Sequence, residues 1–332
     1  MKRTALIVAL VLAALPSLPG GPGWQDEPPL PRAIAGHAAA IQAGAMIVAG
    51  GSYWSGNEKH IDDAVQRSDP TQPGGWKNLA QLPGGFAHGG WASDGESLWL
   101  AGGLERSGPS RAVRRIDLTT GRVQTVSTLP EPRAYCGAAV LDGALWVVGG
   151  APDETDLSGA RATVWRIDLA TQTLRVLRNP GPAMINPLVL SLGGELHVLP
   201  GGGWSATTKR LEPPEDVWIF SPRTERWRTS RLGLATRLPR GLSGAPLETH
   251  RALLAGGFSN HETAGAIDAR AWIYDARDRS LTPQPTLPAP RIAGAMIPDG
   301  HGGALLLGGE DKPRGRAATV WRWPGENRGV TP

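Results

Sequence analysis

Glu310 and Arg316 stand six positions apart in GGEDKPRGR, directly after a pair of glycines near the end of a 332-residue chain. A carboxylate and a guanidinium on one short Gly/Pro-containing loop combine a proton-transfer group with a holder for an anion. The same spacing suits a salt bridge that pins the loop, and the residues alone leave both readings open.

Other chemistry-bearing residues recur at one place in a pattern. Arg32, Arg133, Arg240 and Arg291 each follow a Leu-Pro pair or its equivalent. Guanidiniums gathered there can grip a carboxylate, or they can brace neighbouring loops. Where the pattern departs from Arg it offers His88, a candidate proton carrier, and Asn186, while Tyr135 accompanies Arg133. Trp54 and Trp204 are candidates for stacking on a sugar face.

These residues are positioned by a repeat. Six segments run an apolar strand into a Gly pair: AMIVAGG, SLWLAGG, ALWVVGG, ELHVLPGG, RALLAGG and ALLLGG, ending at Gly51, Gly103, Gly150, Gly202, Gly257 and Gly309. They recur every 47 to 55 residues. A period near fifty made of strands, turns and a Gly doublet is the signature of a kelch unit, a four-stranded blade. The doublet is expected where a strand end packed near the propeller axis has no room for Cβ and needs unusual φ values. A further strand follows each doublet, as in AVRRIDL (112–118), TVWRIDL (163–169), DVWIFSP (216–222), AWIYDA (271–276) and TVWRW (319–323). A fourth strand ends at Leu82-Pro83, Leu129-Pro130 or Leu287-Pro288, and the last unit lacks one. Trp24 to Leu30-Pro31 repeats the seven-residue spacing of Trp76 to Leu82-Pro83. The expectation is therefore an all-β, six-bladed kelch-type β-propeller over 24–324, its ring closed by the N-terminal strand, with 325–332 as a tail. In an up-and-down blade the loops after the doublets and the residues after Leu-Pro share one rim, which is then the functional face.

Composition agrees with short strands and many turns: 45 Gly, 30 Pro and 13 Trp against three Phe and three Tyr. The net charge of +4 comes mostly from scattered Arg and forms no basic run, so nucleic acid is not indicated. Lys2 and Arg3 precede an apolar run from Ala5 to Leu15, closed by Pro16, Ser17, Pro19 and Gly20. That layout predicts a signal peptide over 1–20 and an exported, periplasmic or secreted protein, not an integral membrane one after the leader is removed. Cys136 is the only cysteine, so no disulfide forms within the chain.

With GEDKPRGR in its final repeat, the chain resembles the cyclically permuted mutarotase family of kelch propellers, related to N-acetylneuraminate epimerases, over nearly all of the segment after the leader. In that family a Gly-Glu-x-x-Pro-Gly-x-Arg-like segment carries the Glu and Arg proposed for catalysis and substrate binding; Glu310 and Arg316 occupy those places here. PGGFAHGG (83–90), LPGGGW (199–204) and GGSYWSGNEKH (50–60) are further echoes. Two features depart from the pattern: Pro313-Arg314-Gly315-Arg316 has its Gly displaced by one, and Ser52-Tyr53-Trp54 stands where relatives tend to have Ala-Asn-Phe. The resemblance implies interconversion of the anomers of N-acetylneuraminate or a similar acidic sugar, a small-molecule substrate, by acid/base ring opening and without a cofactor. It implies Glu310 for proton transfer, Arg316 for the substrate carboxylate, and Tyr135 and His88 for hydroxyl contacts or a partner acid. The alternative is a non-catalytic kelch propeller that binds glycan or protein on the same rim. A copper radical oxidase would need a Tyr–Cys crosslink and several His and Tyr ligands; Tyr135 and Cys136 are merely adjacent in sequence.

Overall fold

A computed structural model describes residues 23–177, 181–212, 215–232, 238–259 and 266–326 of the chain. The expected leader over 1–20, and all of the expected tail beyond Glu326, lie outside the described residues. Six four-stranded antiparallel sheets form the blades of a propeller. In the first blade the strands, from the axis outward, are Ala38–Gln42, Ala45–Ala49, Ala64–Ser68 and Trp76–Gln81. Four further blades repeat this order, starting at Gly90, Gly137, Leu188 and Ser243. Each innermost strand packs against the innermost strands of the two flanking blades, which closes the ring.

The sixth blade holds Ala295–Pro298, Ala304–Leu307 and Val320–Trp323, and its outermost strand is Gln25–Glu27 from the other end of the chain. The register pairs Gln25 with Arg322 and Glu27 with Val320. The seam also resembles the next blade in detail: Trp24 Nε1 donates to the Pro285 carbonyl and Trp76 Nε1 to the Pro29 carbonyl. The N-terminal strand thus covers an edge that would otherwise present unpaired backbone groups.

Alternation within each blade fills the spaces between blades with apolar side chains. Leu253, Ile273, Leu306, Trp321 and Trp323 pack together between the fifth and sixth, and Trp99, Leu145, Val147, Trp165 and Ile167 between the second and third. Burial of this kind stabilises by roughly 25 cal/mol per Å² removed from water. Cys136 belongs to the second of these clusters. Its Sγ accepts from the Gly90 N–H at 3.2 Å, and burial pushes the thiol up to about 11.

The Gly doublets do their work at the blade boundary, not at the axis as the sequence alone suggests. A Cβ on Gly50 would lie 2.2 Å from the Phe86 carbonyl oxygen, and one on Gly256 would lie 2.1 Å from that of Arg291. In both cases the obstructing oxygen belongs to the chain entering the next blade. The second glycine of each pair uses that closeness, because the Gly51 N–H donates to Phe86 O and the Gly257 N–H to Arg291 O. Among the described residues the only helical element is one 3₁₀ turn, Leu157–Gly159, and no helix is long and apolar enough to cross a membrane.

Candidate functional site

One rim does collect the loops after the doublets and the residues after Leu-Pro. The residue following each doublet, or in the fourth unit its second glycine, bridges the chain entering the inner strand of the same unit: Ser52 with Ala35, Leu104 with Ala87, Ala151 with Ala134, Gly202 with Ile185, Phe258 with Arg240, and Glu310 with Ile292. The residues just after the entering partners, Gly36, His88, Tyr135, Asn186, Gly241 and Ala293, all take left-handed φ values between 49° and 68°. Their backbones pass hydrogen bonds around the axis: Asn186 N–H to Tyr135 O, Tyr135 N–H to His88 O, His88 N–H to Gly36 O, and Gly36 N–H to Ala293 O, each 2.6 or 2.7 Å. Three polar residues, His88, Tyr135 and Asn186, therefore occupy the structural position that Gly36, Gly241 and Ala293 fill in the other blades, and the belt of bonds holds them against the strain of that conformation.

All three line a cavity of about 720 Å³ that runs down the axis between the inner strands. Its mouth is also lined by Glu310, Arg316, Arg240 and Lys59. Glu310 Oε2 accepts from Arg316 Nη1 at 2.7 Å. Arg316 is tied further: Nη1 donates to the Gly315 carbonyl, Nε to the Ser52 carbonyl at 3.1 Å, and Nη2 to Ser52 Oγ at 3.3 Å. Ser52 Oγ lies 3.1 Å from His88 Nε2. A continuous polar chain thus runs Glu310, Arg316, Ser52, His88, with the Tyr135 ring 5.8 Å from that of His88.

Four of the five N–H groups of Arg316 are committed to these partners, so it has one left for a ligand. Its side chain is 7% exposed, against 23% for Glu310. Burial pulls the guanidinium below its ordinary value and the Glu310 carboxylate opposes that pull. Glu310 lines the cavity, and its Oε1 has no hydrogen-bond donor among the described residues, which leaves one carboxylate oxygen free to accept a proton. Burial, with the charges of Lys59 and Arg316, drops His88 to about 3, so at neutral pH it is an uncharged imidazole. Burial and then the charge of Glu154 push the Tyr135 phenol up to about 12; it stays protonated and can donate.

The four arginines named from sequence do not form an axial cluster. Arg133 is fully buried within its own blade, where it donates to Glu131 and lies 4.4 Å over the Trp165 ring. Arg291 repeats this with Thr319 and Trp321, at 4.5 Å from the ring. Both stand two positions before the belt and outside the lining of the axial cavity, and both brace the third strand of their blade. Arg32 pairs with Asp62 at 3.1 Å and lies over Tyr53, in a separate cavity on the outer side of the first blade's hairpin. Only Arg240, stacked 4.3 Å over Phe258, reaches the axial cavity.

Sequence reading missed Lys59. It sits on a hairpin, Ser52–Ser55 with Glu58–Ile61, that the first doublet launches onto the rim. Lys59 pairs with Trp54 and shares a face with Ser52, the face turned toward Arg316. Among the described residues its ammonium has no hydrogen-bond or ion-pair partner, although it feels Glu154, Glu310 and Arg316 and burial lowers its pKa. The signal lay in GGSYWSGNEKH, a doublet followed by a turn-containing strand pair, in which alternate residues must share the face of Ser52.

The order of the final-repeat loop, its Glu–Arg pair and its place over an axial cavity invite comparison with known proteins. The chain is similar to N-acetylneuraminate epimerases. It is 28% identical over 182 residues to the protein of that name from Yersinia pestis (strain Pestoides F), an alignment that covers 45% of each chain. To the N-acetylneuraminate epimerase of Salmonella arizonae it is 24% identical over 249 residues, covering 64% of this chain and 62% of that protein. The Salmonella typhimurium protein gives 25% over 251 residues. The chain thus spans less than two thirds of the length of these curated relatives, and no family model matches it.

In the loop of the final unit, the displaced glycine has a structural reading. Arg314, which stands where the family pattern has Gly, keeps the left-handed backbone with φ of 63°. Its guanidinium lies 5.0 Å over the Trp54 ring and donates to Asn57 Oδ1, so the loop leans on the first blade's hairpin. Gly315 is fixed for a different reason: a Cβ there would lie 2.3 Å from Asp311 Oδ1.

Proposed function

We propose that this propeller is a mutarotase that interconverts the anomers of N-acetylneuraminate or a similar acidic sugar in the axial cavity. The observation that carries the reading is the Glu310–Arg316 pair, with one carboxylate oxygen of Glu310 free beside an unpaired Lys59 ammonium at the cavity mouth. The similarity to N-acetylneuraminate epimerases supports it.

The substrate carboxylate is held by Lys59 and the one free N–H of Arg316, a charge-assisted contact that orients the ring. Because Arg316 is already spent on Ser52, Gly315 and Glu310, its larger part is to fix Glu310. Glu310 Oε1 takes the proton of the anomeric hydroxyl while the bond from the anomeric carbon to the ring oxygen breaks. The ring oxygen takes a proton from the Tyr135 phenol or a water it orients. The open keto form rotates about the bond between the anomeric carbon and its ring neighbour, and reversal of the two proton transfers closes the other anomer. No electrons leave the substrate, and a neutral His88 serves to hold Ser52 in place.

Exchange NMR on N-acetylneuraminate near neutral pH tests the proposal, with purified wild type and Lys59→Met. The expected result is magnetisation transfer between anomers that rises with protein concentration, with KM raised about tenfold in the variant, the loss of one charge-assisted contact. Folded wild type that accelerates neither this sugar nor other acidic ketoses would overturn it and favour the binding propeller.

A further inference from the structure

The hairpin that carries Lys59 has two faces. Its register pairs Ser52 with Ile61 and Trp54 with Lys59 on one, Tyr53 with His60 and Ser55 with Glu58 on the other. Cross-strand partners share a face, so the hairpin is a wall with the axial cavity on its inner side. On its outer side lies a second cavity of about 590 Å³, whose lining includes Arg32, Tyr53, His60, Asp62, Asp63 and Arg106, with Lys59 at the edge shared by the two cavities. Gln66, Asn78 and Gln81, from the two outer strands of the first blade, form its floor.

Three properties of this second cavity point to one ligand chemistry. Its formal charges balance: Arg32 pairs with Asp62 at 3.1 Å and Arg106 with Asp63 at 2.5 Å, and Glu58 offsets Lys59 on the hairpin. A ligand with a net charge gains nothing from such a lining, whereas hydroxyl groups can accept from the guanidiniums and donate to the carboxylates at once. Amide side chains add more planar donor–acceptor pairs, with Gln66 already bonded to Asn78. Finally, Tyr53 and His60 stack at 5.1 Å with their planes 20° apart, and Arg32 lies 4.3 Å over Tyr53, which gives a rigid flat surface of aromatic and guanidinium groups. A concave site that joins a flat stack to several planar polar groups suits a polyhydroxylated ring.

We infer that the outer side of the Ser52–Ile61 hairpin is a second carbohydrate site, which takes an uncharged sugar ring and adjoins the acid-sugar cavity only at Lys59. It accounts for the placement of Arg32, which the axial cavity leaves out. Saturation-transfer NMR tests it with four probes: methyl α-mannoside, methyl β-glucoside, methyl β-galactoside and methyl N-acetyl-β-glucosaminide. Saturable transfer to at least one is expected. Asn78→Ala combined with Gln81→Ala, both exposed on the outermost strand, should weaken it about tenfold or more, and Glu310→Gln should leave it unchanged. Folding of each variant is checked by thermal unfolding, with Arg106→Ala as a second outer variant. Transfer to none of the four, or binding that survives the outer substitutions and is lost in Glu310→Gln, would overturn the inference. Since Glu310→Gln abolishes only the proposed chemistry, failure of the mutarotase reading and failure of this site give different results.

Discussion

Arg316 donates from Nη1 to Glu310 of its own loop and from Nε to the Ser52 carbonyl of the first blade's hairpin. The Glu–Arg pair is therefore locked across the seam where the last blade meets the first, and the site depends on ring closure by the N-terminal strand. Arg316, anchored on Ser52, in turn holds Glu310 through Oε2 and leaves Oε1 without a donor among the described residues.

Arg133 should be a stability residue. Arg133→Met removes a fully buried guanidinium and takes a donor from Glu131 and from the Gly149 carbonyl, while Arg161 still pairs with Glu131 at 3.6 Å and its backbone N–H still bonds the Gly150 carbonyl. Removing a donor from a half-exposed carboxylate and a buried carbonyl typically costs about 1–3 kcal/mol. Urea unfolding should show a loss of that order, while the sugar affinity of the remaining folded protein stays at the wild-type level. A large rise in KM with unchanged stability would instead make Arg133 a ligand contact.

The left-handed backbone at Arg314 predicts an inversion of the usual order of glycine and alanine. Both Arg314→Gly and Arg314→Ala lose the stack on Trp54, so their difference isolates the backbone. Gly has no Cβ to clash at φ of 63° and should make the protein more stable than Ala by about 1 kcal/mol. Equal midpoints in thermal unfolding would show that the loop relaxes to another conformation.

Acid should destabilise the ring through two histidines, the buried His37 and, to a smaller degree, the half-buried His88 at the axial cavity. His37 and His88 are both held near 3 by burial, against an ordinary 6.5. For a group whose folded pKa is lowered, the unfolded chain binds the proton first as pH falls. Stability is thus complete above about pH 6.5 and declines from there toward pH 3, by about 1.4 kcal/mol per pH unit for His37 and less for His88. His37 is 1% exposed and neither ring nitrogen has a partner among the described residues, so His37→Leu should remove one proton from this slope. Denaturant midpoints between pH 4 and 7 measure it, and an unchanged slope would mean that His37 is already paired or hydrated.

Much of the fold is legible because its determinants are local. The Gly doublets mark blade boundaries where a Cβ meets a carbonyl, and the Trp–Leu-Pro spacing at Trp24 and Trp76 reports equivalent outer strands, including the one that closes the ring. The site was only partly legible. Sequence aligned Arg32, Arg133, Arg240 and Arg291 as one set, yet small differences in offset put two of them inside blades, one in an outer cavity and one at the axis. His88, Tyr135 and Asn186 share a position because of a left-handed backbone belt, which side-chain identity does not encode. Lys59 depends on the hairpin's alternation and on its distance from Glu310, both of which arise only when the last loop is brought against the first blade.

The central claim is that the free oxygen of Glu310 moves the anomeric proton. Exchange NMR of N-acetylneuraminate with Glu310→Gln beside wild type tests it most directly, since Gln keeps the size and a hydrogen bond from Arg316 but cannot take the proton. The account predicts that exchange falls by about a hundredfold or more while saturation transfer still detects bound sugar. A variant that binds and exchanges the anomers at the wild-type rate would contradict it.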